Sequence, residues 1–322
     1  MKYVLNSSTD AAWNMAHDEF LLEGLRERVF CLWRNAPAVI IGLNQNAFSE
    51  VNLPYLREQG IQLARRVTGG GAVYHDLQNL NYSIAGPIRE MENAFEMMPA
   101  VLCRLGVPAR RSGRNDIFVD GRKCSGYAKR LSKDRMMIHG TLLWDVNLEV
   151  LTEVLRVPGS KLDAAGVASV RSRVANLKEY LPQFPDILAF GKAVHEILEG
   201  QLAQLGFEDS GSGEIRLSSA QRASIDAMAQ SKFRRWEWIY GHSPSASFRN
   251  RRKFACGTVE VQFSLKRGVL ESVEIGGDFM GNRPVSELIP GLLGLRVEEV
   301  ALVDVGPYFD GLSGAEFATL FV

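Results

Sequence analysis

The strongest constraint in this sequence is a run of three consecutive glycines, Gly69-Gly70-Gly71, between two short stretches of strand-forming residues. Each glycine inside a packed helix or strand costs roughly 0.5–1 kcal/mol against alanine, so the run does not belong to an element interior. The backbone must turn sharply there, or something must approach it too closely for a Cβ. Arg65 and Arg66 stand just before the turn. Exposed N–H groups on a glycine-rich turn, with guanidinium nearby, can hold an anion such as phosphate. The same residues also fit a plain tight β-turn with two solvated arginines.

The chain around this run has 322 residues, with 46% hydrophobic and 23% charged residues. That length points to two domains rather than one, and the composition argues against long disorder. Lys+Arg and Asp+Glu are 37 each, so the net charge is zero. The balance disfavours a general nucleic-acid-binding protein, which usually carries a basic excess. Cys31, Cys103, Cys124 and Cys256 lie far apart, without Cys-x-x-Cys or zinc-finger spacing, which disfavours a disulfide framework or structural zinc. The start lacks a long apolar segment and no stretch approaches a membrane span; the expectation is a reduced, cytoplasmic protein that does not engage membranes.

Local signals then divide the chain. Asp10 can cap a helix running to about Leu25. Val29 to Trp33 and Ala38 to Ile41 read as strands, and Asn52 to Glu58 as a short helix stopped by Gly60. Strands are predicted at Ala72 to Tyr74 and Leu80 to Ala85, then a helix from about Glu90 to Leu105. Asp120-Gly121 between apolar runs predicts a hairpin. Met136 to Trp144 is a further strand and Leu148 to Leu155 a helix. Gly159 to Arg173 has small residues and no period, and reads as a long loop of the kind that serves as a lid or binding loop. Helices follow from Asp186 to Leu205 and from Ser218 to about Lys232, joined by a glycine-serine connector. Gly241-His242-Ser243-Pro244-Ser245 marks a boundary, giving domains at 1–243 and 244–322. Past it, Thr258 to Leu265 and Val269 to Ile275 form a hairpin, with two short helices near Val285–Leu292 and Val297–Val303. The sum is a large mixed α/β domain and a small α+β domain.

Three further stretches are hard to explain by packing alone. Ser112-Gly113-Arg114-Asn115-Asp116 is polar and tight before a strand. In Arg122-Lys123-Cys124-Ser125-Gly126-Tyr127-Ala128 a lysine enters a strand whose next residues are small, leaving space beside it. Ser169-Val170-Arg171-Ser172-Arg173 places two arginines in the long loop. Cations, small residues and backbone donors together suit a reaction that brings two anions into contact. A carboxylate attacking a nucleotide α-phosphate is such a reaction, and fixed Lys and Arg donors stabilise the charge that grows on the phosphoryl oxygens.

Taken in order with His139-Gly140-Thr141-Leu142-Leu143, these stretches resemble the lipoate–protein ligase A family, from about Trp13 past Leu181. Trp236-Glu237-Trp238 and the hairpin region are similar to the family's C-terminal accessory domain. The resemblance implies an α/β (α+β) fold: a large mixed-sheet biotin/lipoyl-ligase-like catalytic domain plus a small α+β C-terminal accessory domain. It implies that lipoate and ATP, with Mg2+, form lipoyl-adenylate and pyrophosphate, and that an acceptor lysine then attacks the mixed anhydride. The acceptors implied are apo lipoyl domains of 2-oxoacid dehydrogenase E2 subunits and the glycine cleavage H protein. It places Gly69, Gly70, Gly71, Ala72, Val73 and Tyr74 along the adenylate and lipoyl tunnel, and Arg66 on the phosphate side. It implies that Lys123 bridges the lipoyl carbonyl and the α-phosphate, and that Gly159–Arg173, with Arg171, is the adenylate-binding loop. An ammonium between those two oxygens favours both half-reactions, and a closed loop keeps water from the anhydride.

The sequence departs from the family pattern at Cys124, where Ile or Val is usual, and at Ala165, where relatives commonly carry lysine. Cys124 reads as a small buried hydrophobe, since strand neighbours face opposite ways. The competing reading makes it a nucleophile activated by Arg122 and Lys123, which would signify an octanoyl/lipoyl acyltransferase. Ala165 leaves room for a catalytically silent lipoate-binding paralogue. Asp116 can orient Lys123 or hold Mg2+, an ion that ATP phosphates would carry for the most part. His75 and His139 read as hydrogen-bonded shaping residues rather than general bases, and Trp236 and Trp238 as packing residues. The basic run Arg249-Asn250-Arg251-Arg252-Lys253 is either a solvated face or a docking patch for an acidic acceptor.

Overall fold

The computed structural model describes residues 1–113, 115–155, 172–205, 207 and 211–322. Its largest element is an eight-stranded mixed sheet. In spatial order the strands are Gly213–Glu214, Lys2–Tyr3, Val29–Trp33, Asn79–Pro87, Arg135–Leu143, Arg122–Ser132, Asp116–Val119 and Arg110–Ser112. Pairing is parallel on both sides of Lys2–Tyr3 and antiparallel elsewhere. A second sheet has Ala38–Ile41 in the middle, parallel to Gln62–Arg65 and antiparallel to Val73–His75. The glycine run therefore crosses the end of the middle strand to connect its two neighbours.

Period-two alternation distributes the core. On one face of the large sheet, Phe30 and Ile84 pack with the helices Ala94–Arg104 and Ile187–Gly200. From the other face Val29, Cys31 and Trp33 meet the helix Ala11–Glu23, and Ala38 and Ile40 of the second sheet close on the same helix. That helix lies between two sheets, so it is buried nearly all round, including Asn14, His17, Asp18 and Glu19. Asp10 caps it by accepting from the Trp13 N–H, as the sequence predicts. The opposite face of the second sheet, through Val39, Ile41 and Tyr74, shares a core with Val259, Val261 and Phe263 of the C-terminal region.

The C-terminal region is a three-stranded antiparallel sheet, Ala246–Phe254, Gly257–Lys266 and Val269–Gly277, covered by short helical turns. The hairpin and the two short helices fall where the sequence places them. The first strand and a closing helix at Gly314–Ala318 do not appear in the sequence reading. The basic run lies within that first strand, where Arg249 pairs with Glu260 and Arg252 donates to Thr319. Trp236 stacks on Tyr240 and lies under the Arg296 guanidinium, while the Trp238 indole N–H donates to Arg65 O; both are packing residues. The loop read at Gly159–Arg173 lies outside the described residues up to position 171, and so does Ala165. No helix among the described residues is long and apolar enough to cross a membrane.

Candidate active site

The glycine turn folds back over Gly42, which follows the middle strand of the second sheet. A Cβ on Gly42 would lie 2.1 Å from Gly70 O, so only glycine admits this approach. Gly70 itself has φ +97°, in the region that favours glycine. Gly69 and Gly71 have open space where a Cβ would be. Two different needs are met by one run: Gly70 makes the turn, and its neighbours leave the backbone approachable.

The two arginines hold this arrangement from beneath. Arg65 is fully buried and donates to the carbonyls of Gly42, Leu43, Gln45, Trp238 and Ile239 and to Ser243 Oγ. Arg66 donates to Ile40 O, Gly69 O and Gly71 O at 2.7–3.2 Å and to Thr68 Oγ1 at 3.0 Å. Burial lowers both guanidinium pKa values to about 10, which leaves them charged at neutral pH. Thr68 Oγ1 is 2.7 Å from His139 Nε2, and His139 Nδ1 is 2.7 Å from Asp18 Oδ2. A continuous chain thus ties the Ala11–Glu23 helix to the glycine turn, with His139 as the shaping residue.

Opposite stands the strand Arg122–Ser132. Lys123 Nζ is 2.7 Å from Asp116 Oδ1, and the two side chains are 36% and 28% exposed. A Cβ on Gly126 would lie 3.0 Å from Lys123 Nζ, so the small residue after the lysine is what gives its side chain room. Lys123 O accepts from Ala175 N at 2.9 Å, which fastens the end of the long loop to this strand. Cys124 faces the other way, fully buried in the first core, with Sγ 3.4 Å from Ile117 O. Burial pushes its thiol up to about 12, so it is neither ionised at neutral pH nor on the lysine's side. The nucleophilic reading of Cys124 finds no support in this geometry.

Between the two walls lies a cleft. Arg66, Gly71, Ala72 and Val73 line one side and Lys123, Gly126 and Tyr127 the other. It runs inward to the buried side chains of Met15, Trp33, Ile40, His75 and Asn81. An outer depression adjoins it, sharing Gly71, Asn115, Tyr127 and Ala128 and adding Gly69, Gly70, Arg111 and Lys129. Of the site residues expected from the sequence, Arg66, Gly69, Gly70, Gly71, Ala72, Val73 and Lys123 line the cleft or the depression, Asp116 adjoins it through Lys123, and two are exceptions. Tyr74 alternates away from Val73 and His75 into the second core. Arg171 lies outside the described residues. Trp33, Asn81 and Asp18 were not foreseen; the alternation of the Val29–Trp33 strand was the available signal for Trp33. Among the described residues no three His, Cys, Asp or Glu side chains are grouped to hold a metal ion. Asp116 is the carboxylate beside Lys123.

An ammonium at the mouth of a mostly apolar cleft, beside open glycine backbone, suits a ligand with an anionic end and an apolar tail. The comparisons with known proteins specify the class. A family model described as the lipoyl protein ligase A/B catalytic domain matches residues 10–199, and one described as the bacterial lipoate protein ligase C-terminus matches residues 243–321. Lipoate–protein ligase 1 of Staphylococcus aureus is 36% identical, with 99% of each chain covered. Lipoate–protein ligase LplJ of Bacillus subtilis is 33% identical over 97% of this chain and 96% of its own. Among solved structures, an archaeal bipartite lipoate protein ligase from Thermoplasma acidophilum, studied with its E2 lipoyl domain, is 29% identical with a TM-score of 0.66. It covers 76% of this chain and 97% of its own. A lipoate–protein ligase A bound with ATP is 27% identical with a TM-score of 0.64, covering 75% and 98%. The chain belongs to the lipoate–protein ligase family and is an enzyme of the ligase class.

Proposed function

We propose that the cleft is the acyl-adenylate site of an ATP-dependent lipoate–protein ligase, and that Lys123 is its catalytic cation. The observation that carries this reading is the position of Lys123: an ammonium at the cleft mouth, held by Asp116 and facing Gly71, Ala72 and Val73 across the gap. The lipoyl chain occupies the inner cleft and the nucleotide the outer depression, with the acid's carboxylate between them. Attack of that carboxylate on the α-phosphate expels pyrophosphate. The acceptor lysine amine then attacks the acyl carbonyl, forms the amide and releases AMP. Charge grows on the carbonyl and phosphoryl oxygens in the two steps, and one fixed ammonium between them lowers both barriers. Gly69 and Gly71 leave their backbone open to the ligand, and Gly70 shapes the turn. Arg66 acts on the phosphate side through its charge and through the turn it holds, since its N–H groups already donate to carbonyls. Asp116 orients Lys123. Mg2+ enters with the ATP phosphates. Tyr74 supports the tunnel wall from behind, and Arg171 contributes from the adenylate-binding loop.

The partners proposed are apo lipoyl domains of 2-oxoacid dehydrogenase E2 subunits and the glycine cleavage H protein, in the cytoplasm; the Thermoplasma relative studied with an E2 lipoyl domain supports the first. Two domains, 1–243 and 244–322, fit the separate spans of the two family matches. The test mixes protein, apo lipoyl domain, lipoate and Mg-ATP and follows the acceptor mass. Modification that requires ATP supports the ligase. Modification from an octanoyl-carrier protein without ATP would establish an acyltransferase instead, and lipoate binding without modification a silent paralogue.

A further inference from the structure

The inner end of the cleft holds polar atoms that the reaction chemistry does not use. Asn14 Nδ2 lies 3.1 Å from both Ser8 O and Arg34 O, which can only accept, so this atom is the amide nitrogen. Two amide nitrogens would repel at 2.7 Å, so the Asn35 atom at that distance is Oδ1, and the two hydrogens of Asn14 are shared among the three acceptors. That fixes the Asn35 amide, whose nitrogen lies 3.0 Å from His75 Nδ1 and donates to it. Nδ1 is the acceptor, so the proton of the neutral His75 ring sits on Nε2. Burial lowers the His75 pKa to about 3, which keeps the ring neutral. Nε2–H is buried and has no hydrogen-bond partner among the described residues. Asn81 lies beside it: its amide meets that of Asn79 at 2.7 Å, and one polar atom of each amide is buried without a partner.

Both residues line the cleft, and Trp33 joins them there. Trp33 pairs with Asn81 across the sheet, and its ring centroid is 6.0 Å from that of His75. Its indole N–H already donates to Ser83 Oγ at 2.9 Å, so it offers the cleft an apolar face. Buried donors without acceptors are rare, because each forfeits its hydration. One of them at the inner end of a substrate cleft points to an acceptor that arrives with the substrate.

We infer that His75 selects the acyl substrate by its tail: the Nε2–H donates to a sulfur of a dithiolane ring, a bond that a plain hydrocarbon tail cannot accept. The inference deepens the proposed function and rests on it. Sulfur is a weak acceptor, so the selection is modest. Ring shape and sulfur chemistry are separated by a third acid, cyclopentyl-pentanoate, which keeps the ring and lacks sulfur.

The experiment measures kcat/KM for ATP-dependent acceptor modification with lipoate, cyclopentyl-pentanoate and octanoate. The wild type is expected to favour lipoate over the carbocyclic acid by about fivefold or more. His75→Leu should bring that ratio towards one, chiefly through KM for lipoate, while His75→Gln, which retains a donor, should keep more of it. A wild-type ratio near one, or a ratio unchanged in His75→Leu, overturns the inference. If His75→Leu does not fold, a wild-type ratio near one still overturns the inference, and His75→Gln still reads the contribution of the donor. Use of the carbocyclic acid as readily as lipoate leaves the ligase reading standing; no modification with any of the acids removes that reading and this one together.

Discussion

The two walls of the cleft both carry cations, and they commit them differently. On the glycine wall Arg66 is buried, and its N–H groups donate to three backbone carbonyls and one hydroxyl. On the lysine wall Lys123 is about one-third exposed and pairs with one carboxylate. The first cation builds the site and the second is available to a substrate. Two neighbouring positive residues in a sequence are thus no measure of the charge a ligand meets; what matters is how many backbone carbonyls have already claimed each one.

The widest gap between the walls should appear at Lys123. Lys123→Ala is expected to lower kcat by about 10²–10³-fold, the cost typical of one lost transition-state donor. Its thermal stability should stay near wild type, because a partly exposed ion pair contributes about 1 kcal/mol or less. Near-normal turnover of lipoate, ATP and acceptor in this variant would remove Lys123 from the mechanism.

Arg66 should show the opposite pattern. Arg66→Ala leaves the Ile40, Gly69 and Gly71 carbonyls without their donor, at a cost of roughly 3 kcal/mol in stability. Denaturant unfolding would read this directly, and an Arg66→Ala protein as stable as wild type would break the contrast between the walls.

The glycine wall should also be the acid-labile one. Burial lowers His75 to about 3, and burial likewise lowers His17, in the adjoining helix, to about 4. An unfolded histidine takes up its proton near pH 6.5, so between about pH 6.5 and those values the unfolded state binds more protons. Stability must then fall as pH drops, by about 1.4 kcal/mol per pH unit for each histidine and about twice that for both, from about pH 6 to about pH 4.5. Unfolding midpoints across that range measure the slope. His17→Phe should roughly halve it, and a flat profile would mean that both rings are protonated in the folded protein.

Much of this architecture was legible because its signals are local. Asp10 and Gly60 terminate helices where the sequence puts them, and Asp120-Gly121 makes the hairpin turn with φ of 48° and 75°. The placement of Lys123 in a strand followed by small residues was readable for the same reason. What stayed hidden depends on partners far away in sequence. Asp18 is a polar residue in a helix until His139 and Ser83 close around it. Arg66 reads as a phosphate contact until Gly42 and the turn fold over it. The strand Ala246–Phe254 was masked by its own arginines, whose exposed face interrupts the alternation that marks a strand. Tyr74 was an avoidable miss: period-two alternation puts it opposite Val73 and His75, away from the cleft.

The same alternation supplies the smallest expected effect, at Cys124. It is the strand neighbour of Lys123, yet it belongs to the first core and not to the cleft. Its thiol is packed among apolar groups with one weak contact to Ile117 O. Cys124→Val is close to volume-conserving, so it should change stability by less than about 1.5 kcal/mol. With no part in either half-reaction, it should leave acceptor modification within about twofold of wild type. The pair of neighbours then forms an internal control: one strand, adjacent residues, and opposite faces. If Cys124→Val abolished acyl transfer while Lys123→Ala retained it, the lysine wall would be the wrong wall, and catalysis would run through a thioester on the buried side of the strand.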